Sequence, residues 1–206
     1  MQARPTITRL RVAMTLILLL ALLAVTSTSA HAQDTDATPE YLIKAGFIYN
    51  FANLVQWPSG SFSQADSPIV IAILGEERFG TTLDRVLQGK KIDGRPFIVK
   101  YFRSTSELVK SVGKPKECQI MYVSSSAMPH LSEAIQVVRG LPVLTIGEMP
   151  GFAKSGGMIN FVLEDNRVRF EVNVKAAKDA DLNISSRLLA LARIVQPPGS
   201  DGRKTE

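Results

Sequence analysis

Few residues in this chain could carry covalent or acid–base chemistry, and their spacing decides most cases. After the first 32 positions there is one histidine, His130, and one cysteine, Cys118. A thiolate nucleophile needs a base beside it. Cys118 lies at the edge of the apolar run Gln119–Val123 and His130 falls on a different expected element, so Cys118 reads as a small buried residue. One histidine and one cysteine cannot fill most zinc sites, and neither H-E-x-x-H nor H-x-x-E-H occurs. The serine run Ser124-Ser125-Ser126 lacks the G-x-S-x-G frame that would expose a nucleophile on a strained turn. Three serines between a strand and a helix read instead as caps. Glu164 and Asp165 are adjacent at an expected hairpin turn, so they point apart and cannot work as a paired acid and base.

Two glycine clusters raise the question of phosphate binding. Gly75 and Gly80 have the first spacing of a P-loop, but Thr81 and Thr82 follow where a lysine is required. Nor does "GEERFG" supply the G-x-G-x-x-G of a dinucleotide fold. Gly151, Gly156 and Gly157 precede a strand, not a helix. They therefore lack the helix N-terminus whose free N–H groups hold anions. Glycines there permit positive φ and close backbone approach. No cofactor and no metal is expected from these patterns.

The elements that must position these residues begin after a targeting segment. Arg4, Arg9 and Arg11 precede the 14-residue apolar run Val12–Val25, and Ala30-His31-Ala32 follows before Gln33. This is the layout of a cleaved signal peptide, and the run is shorter than the roughly 20 residues of a span. Cleavage between Ala32 and Gln33 would deliver a soluble protein outside the cytoplasm. The removed segment holds three of the 24 Lys and Arg and none of the 19 acids, leaving 21 bases against 19 acids. With that near balance, and Lys110, Lys114 and Lys116 interleaved with Glu107 and Glu117, no basic face for nucleic acid is indicated. The remaining 174 residues suffice for one domain with a proper core.

After a polar leader, 33–38, Thr38-Pro39-Glu40 signals a helix start, and Leu42, Ala45, Ile48, Tyr49, Ala52 and Val55 recur at helical spacing up to Pro58. Pro68–Gly75, Arg95–Phe102, Gln119–Val123 and Pro142–Gly147 read as strands. Glu77–Leu87, Thr105–Lys110 and Met128–Arg139 read as helices between them. This alternation predicts an α/β domain over 39–196, with a mostly parallel central sheet and crossover helices. Its end differs. "GMINFVL" and "RVRFEVN" flank Glu164-Asp165-Asn166 as a β-hairpin with one face buried. A C-terminal helix is expected over "ISSRLLALARIV", capped by Ser185 or Ser186, and the hairpin should pack on it. A tail, 197–206, follows.

What remains is apolar residues in loops. Met149, Pro150 and Phe152, with Lys154, lie after Gly147, and Trp57 and Phe62 flank "PSGS". Aromatic and methionine side chains are enriched at interface cores. The loop Glu148–Lys154 and Trp57 are therefore the expected partner-binding surface. The competing expectation is that these rings belong to the core or cover the open end of the sheet.

The stretches "YLIKAGFIYNFANLVQWP", "IAILG" and "GFAKSGGMINFVLEDNRVRFEVNVKAAKDADLNISSRLLALARIV" resemble the YfiR family of exported proteins, over essentially all of residues 40–196. The resemblance implies a regulatory role without catalysis. It also implies as partner the periplasmic domain of an inner-membrane sensor or diguanylate cyclase, with an outer-membrane protein that relieves repression. Some members carry disulfides; Cys118 alone cannot form one internally. A periplasmic small-molecule-binding module, using the carboxyl end of the parallel strands, is the alternative. A hydrolase is the weakest reading for want of a nucleophile and base. Homodimer formation is left open.

Overall fold

The computed structural model describes residues 38–75, 77–112 and 117–196. The cleavage position at Ala32 and Gln33, the leader up to residue 37, Lys114, Lys116 and the tail 197–206 lie outside the described residues.

Helix α1 (Pro39–Leu54) starts as its sequence signals. The Thr38 hydroxyl accepts a 3.3 Å hydrogen bond from the Tyr41 N–H, and Pro39 occupies the first turn. Its buried side is centred on Ala45, Ile48, Phe51 and Ala52, while Leu42 is exposed. The helix stops at Leu54, before Pro58. Val55 turns extended (φ −109°, ψ 135°) so that β1 (Val55–Gln56) can pair antiparallel with β9 (Asn183–Ile184).

The chain then alternates through β2 (Ile69–Leu74), α2 (Glu77–Leu87), β3 (Lys91–Ile92), β4 (Arg95–Phe102), α3 (Thr105–Val112) and β5 (Ile120–Val123). A 3₁₀ turn (Ser125–His130), α4 (Leu131–Val137), β6 (Leu144–Gly147), β7 (Ile159–Glu164) and β8 (Arg167–Val172) follow. The expected helix 128–139 is thus divided: it begins as a 3₁₀ turn containing Pro129, which has no N–H for an α-helical bond. After α5 (Val174–Asp179) and β9 come α6 (Ser186–Leu189) and β10 (Arg193–Ile194).

The main sheet has the order β10-β8-β7-β6-β5-β2-β4-β3. Its parallel part, β4-β2-β5-β6-β7, reverses direction of growth between β2 and β5, as in doubly wound folds. Every residue of β2, β5 and β6 is buried, which is why these strands read as unbroken apolar runs. One face packs α1 and α2 through Ile48, Phe51, Phe79 and Leu83. The other packs α3 and α4 through Leu108 and Ala134, with Val138 just after α4.

The hairpin turn is the two-residue Asp165-Asn166, with φ of 49° and 58°. Such paired positive φ values match the twist of the flanking strands. Glu164 belongs to the ladder, opposite Arg167. The apolar face of the hairpin does not pack on a C-terminal helix as expected but on α1: the Phe170 ring lies 5.4 Å from Phe47 and 5.0 Å from Phe51. The expected C-terminal helix is itself only α6. Ser185 caps it, accepting from the Arg187 N–H at 3.2 Å. The chain then leaves the helix because the open edge of β8 offers ladder pairing, Arg193 opposite Glu171, and Val195 donates to the Val172 carbonyl at 2.9 Å.

Candidate functional site

The parallel crossover from β6 to β7 contains no helix; residues 148–158 make it as a loop. Some side chain must still cover that face of the sheet, and Phe152 does so. It is fully buried, in one cluster with Ala72, Leu74, Met121 and Val123. A Cβ on either Gly147 or Gly157 would overlap its ring. Gly151 and Gly156 take φ of 79° and 105°. Asn160 accepts from the Met149 N–H at 3.2 Å, Thr145 accepts from the Met158 N–H at 2.9 Å, and the Asn173 amide donates to the Ala153 carbonyl at 2.7 Å. The glycine-rich motif is thus a latch around one phenylalanine. Met149 is also buried, at 1% exposure, so the sequence expectation that Met149 and Phe152 present side chains to a partner is corrected. Pro150 and Lys154 are exposed.

At the carboxyl edge of the strands, where doubly wound sheets hold ligands, the structure is closed by charge pairing. Lys44, nearly buried on α1, bonds Glu148 at 2.7 Å and Glu40 at 2.5 Å. The second oxygen of Glu148 accepts from the Ser125 N–H at 3.3 Å and from its hydroxyl at 3.4 Å. Burial pulls the Lys44 pKa down, but the hydrogen bonds and charges of Glu148 and Glu40 together raise it above its ordinary value. The Tyr122 hydroxyl is buried and is held well above its ordinary pKa by burial first, then by the charge of Glu148 and a hydrogen bond to it. A protonated, paired lysine and a neutral tyrosine supply neither nucleophile nor base at neutral pH. Ser124 and Ser126 face each other, hydroxyl to hydroxyl at 2.7 Å, against Gly75 (φ 105°). His130 is on the surface, 3.9 Å from Glu133. Cys118 is buried, donates to the Ile120 carbonyl at 3.0 Å, and has its thiol pushed up to about 12 by burial.

The opposite end of the strands carries a cleft of about 690 Å³. Trp57, half-buried, forms one wall. Its indole N–H donates to the Gln119 carbonyl at 3.3 Å. The Gln119 side chain, buried, accepts from the Val70 N–H and donates to the Ser61 carbonyl, both at 2.9 Å, and so ties the loop after Trp57 to β2. Phe62 meets Trp57 edge-on at 6.3 Å, and the Arg95 guanidinium stacks 3.9 Å above the Phe62 ring. One Arg95 nitrogen donates to the carbonyls of Gln64 and Ser67 at 2.9 Å each. Asn53, Gln56, Ile92 and Asp93 also line it. An aromatic wall beside a fixed guanidinium can hold an apolar side chain and an acidic group together. Sequence reading singled out Trp57 and Phe62 but missed Arg95 and Gln119. A glutamine opening an apolar strand, and an arginine directly after Asp93-Gly94, were the available signals.

A family model described as YfiR/HmsC-like matches residues 41–193. The chain belongs to the YfiR/HmsC-like family. In this YfiR-like chain the matched span runs from the first turn of α1 to the start of β10 and contains Trp57, Arg95 and the loop 148–158. No curated protein matches the chain. Among solved structures, a conserved domain protein from Vibrio cholerae O1 biovar El Tor is similar at 9% identity and a TM-score of 0.52, over 75% of this chain and 59% of that one. The ABC domain in complex with L-Trp from Streptococcus pneumonia is similar at 10% identity and a TM-score of 0.49, over 62% of this chain and 55% of that one. This chain therefore spans less than two thirds of either relative, and at 9% identity the likeness to the Vibrio protein concerns the fold alone. Among the described residues no helix is long and apolar enough to cross a membrane, and no group of three or more His, Cys, Asp or Glu could hold a metal ion.

Proposed function

We propose that this YfiR-like chain is a periplasmic regulatory protein that restrains a membrane-bound signalling protein, such as a diguanylate cyclase, by protein–protein contact. The observation that carries the reading is the Trp57–Phe62–Arg95 cleft within the family-matched span. Interface hot spots are enriched in tryptophan and arginine, set in pockets, and Arg95 is already held by two carbonyls and a ring. The partner is the periplasmic domain of an inner-membrane sensor or cyclase, and an outer-membrane protein relieves the restraint. Pro150 and Lys154 are a secondary contact. The test is a photo-crosslinking amino acid placed at position 57 of the exported chain. Capture of an inner-membrane protein supports the proposal; a chain that reaches the periplasm folded and captures none sinks it.

A second reading has its own observation. The cleft volume of about 690 Å³ falls within the roughly 300–1,000 Å³ range of small-molecule sites. In that reading the ligand sits at the amino end of the strands, because Lys44, Glu40 and Glu148 occupy the carboxyl edge where a ligand was first expected.

A further inference from the structure

The main sheet ends on one side in β10, whose Arg193 bonds Glu164 at 2.5 Å and Glu171 at 2.8 Å and so closes over that margin. The other side is different. β3 covers β4 only at Arg95 and Pro96; from Phe97 to Val99, β4 pairs with β2 alone among the described residues. The turn Asp93-Gly94, with φ of 50° and 81°, makes Ile92 and Arg95 a closing hydrogen-bonded pair, so the Arg95 backbone groups face outward to β3. By alternation Phe97 and Val99 also turn their N–H and C=O outward. The inward phase fits: the Phe102 carbonyl accepts from the Gly75 N–H at 3.2 Å on the β2 side. Among the described residues no backbone partner meets Phe97 or Val99 on the outer side.

This margin also has side chains ready for an incoming strand. Ile98 and Val109, on β4 and α3, are 43% and 45% exposed. Arg95 is turned into the cleft, but positions 96–103 hold two further cations, Lys100 and Arg103, and no acid, with Glu107 accepting from the Arg103 N–H at 3.0 Å. An edge strand with exposed amides pairs readily with an extended segment, and side-chain charge then selects which one. A second copy of this chain would bring the same cations to the same margin, so like charges oppose self-pairing.

We propose that the outer edge of β4, centred on Phe97 and Val99, is a docking site for an extended, acidic segment of a partner protein, bound by strand addition. The segment's amides pair with Phe97 and Val99, its carboxylates meet Lys100 and Arg103, and an apolar residue rests on Ile98 and Val109. This site is separate from the Trp57 cleft and stands or falls independently of it.

The experiment titrates the purified chain with a fluorescein-labelled ten-residue peptide of alternating valine and glutamate. Parallel titrations use its valine–lysine counterpart and the acidic peptide N-methylated at every residue. The acidic peptide is expected to bind, more weakly as salt rises, and the other two to fail. Val99→Pro, which removes one outward N–H at an edge position that tolerates proline, should weaken binding about tenfold, the upper end of what one hydrogen bond contributes. Lys100→Glu should weaken it by a similar factor at low salt, and serves alone if Val99→Pro does not fold. Equal binding of the lysine or N-methylated peptide overturns the proposal, as does no binding of the acidic peptide at millimolar concentration. Sedimentation showing a dimer that Lys100→Glu strengthens or leaves intact and Val99→Pro abolishes would assign the edge to a second copy instead, and also overturns it.

Discussion

Replacing Phe152 by alanine separates two roles for the glycine-rich crossover. If the ring is a partner anchor, folding survives and binding is lost; if it is the latch described above, the domain itself weakens. The ring is fully buried and wedged between Gly147 and Gly157. Losing its burial costs about 1.5–3 kcal/mol by transfer alone. The cavity left under the loop brings the expected loss to about 3–5 kcal/mol. For a domain of this length each kcal/mol lowers the thermal midpoint by roughly 2–4 °C, so the fall should be roughly 6–20 °C. Circular dichroism melts, with urea titrations as a check, measure it. Gly157→Ala supplies the reciprocal perturbation. Its methyl group overlaps the ring and should cost about 1–3 kcal/mol by overpacking. In the double variant the methyl enters space the ring has left, so the combined cost should fall well short of additive. An unchanged midpoint for Phe152→Ala, or strictly additive costs, would refute the latch.

Phe170→Ala removes the ring that meets Phe47 and Phe51 and should destabilise by about 3–5 kcal/mol in urea titration; no change would mean that the hairpin does not rest on α1. Cys118, buried with a pKa of about 12, should resist iodoacetamide at pH 8 until urea unfolds the chain, and immediate labelling would contradict its placement. Because its folded pKa lies above the ordinary 9.0, the stability linked to Cys118 is full below that value and is lost as pH rises toward about 12; Cys118→Ala should flatten this part of a stability–pH curve. Lys44 has the same sign, with its contribution present at neutral pH and lost above its raised pKa. Glu148→Gln should cost about 1.5–3 kcal/mol, the usual worth of a hydrogen bond to a charged group, since Glu40 still balances Lys44; a melt identical to wild type would show that the Lys44–Glu148 contact contributes nothing.

The parallel strands β2, β5 and β6 were legible because each is buried on both faces and written as an unbroken β-branched or apolar run between turn residues, as in "PIVIAILG". The hairpin was legible through its period-2 alternation about Asp165-Asn166. The last segment was not. Ser185 through Val195 has helical spacing, yet four residues form α6 and, after a turn, Arg193–Val195 follow the edge of β8, because tertiary pairing at Arg193 overrides local propensity. Helix α5 was overlooked although Asn173 is a regular cap, accepting from the Ala176 N–H at 2.9 Å. The role of Phe152 was illegible for a different reason. Nothing in "MPGFAKSGGM" says that the crossover lacks a helix, so nothing says that a loop ring must fill the place of one. Trp57 could be singled out from composition, but the cleft depends on Gln119 and Arg95, which are far from it in sequence and brought near only by the sheet.

The central claim, that this chain restrains a membrane signalling protein through the Trp57 cleft, is tested most directly by enzyme output. Membranes containing the inner-membrane partner captured at position 57 would be supplied with wild-type chain or with Trp57→Ala, and cyclic di-GMP synthesis measured. Wild-type chain should suppress synthesis. Trp57→Ala, shown by its melt to be folded, should require about thirtyfold more protein for the same suppression, the equivalent of a hot-spot loss of about 2 kcal/mol. Synthesis that wild-type chain leaves unchanged, or that both proteins suppress at the same concentration, would contradict the account.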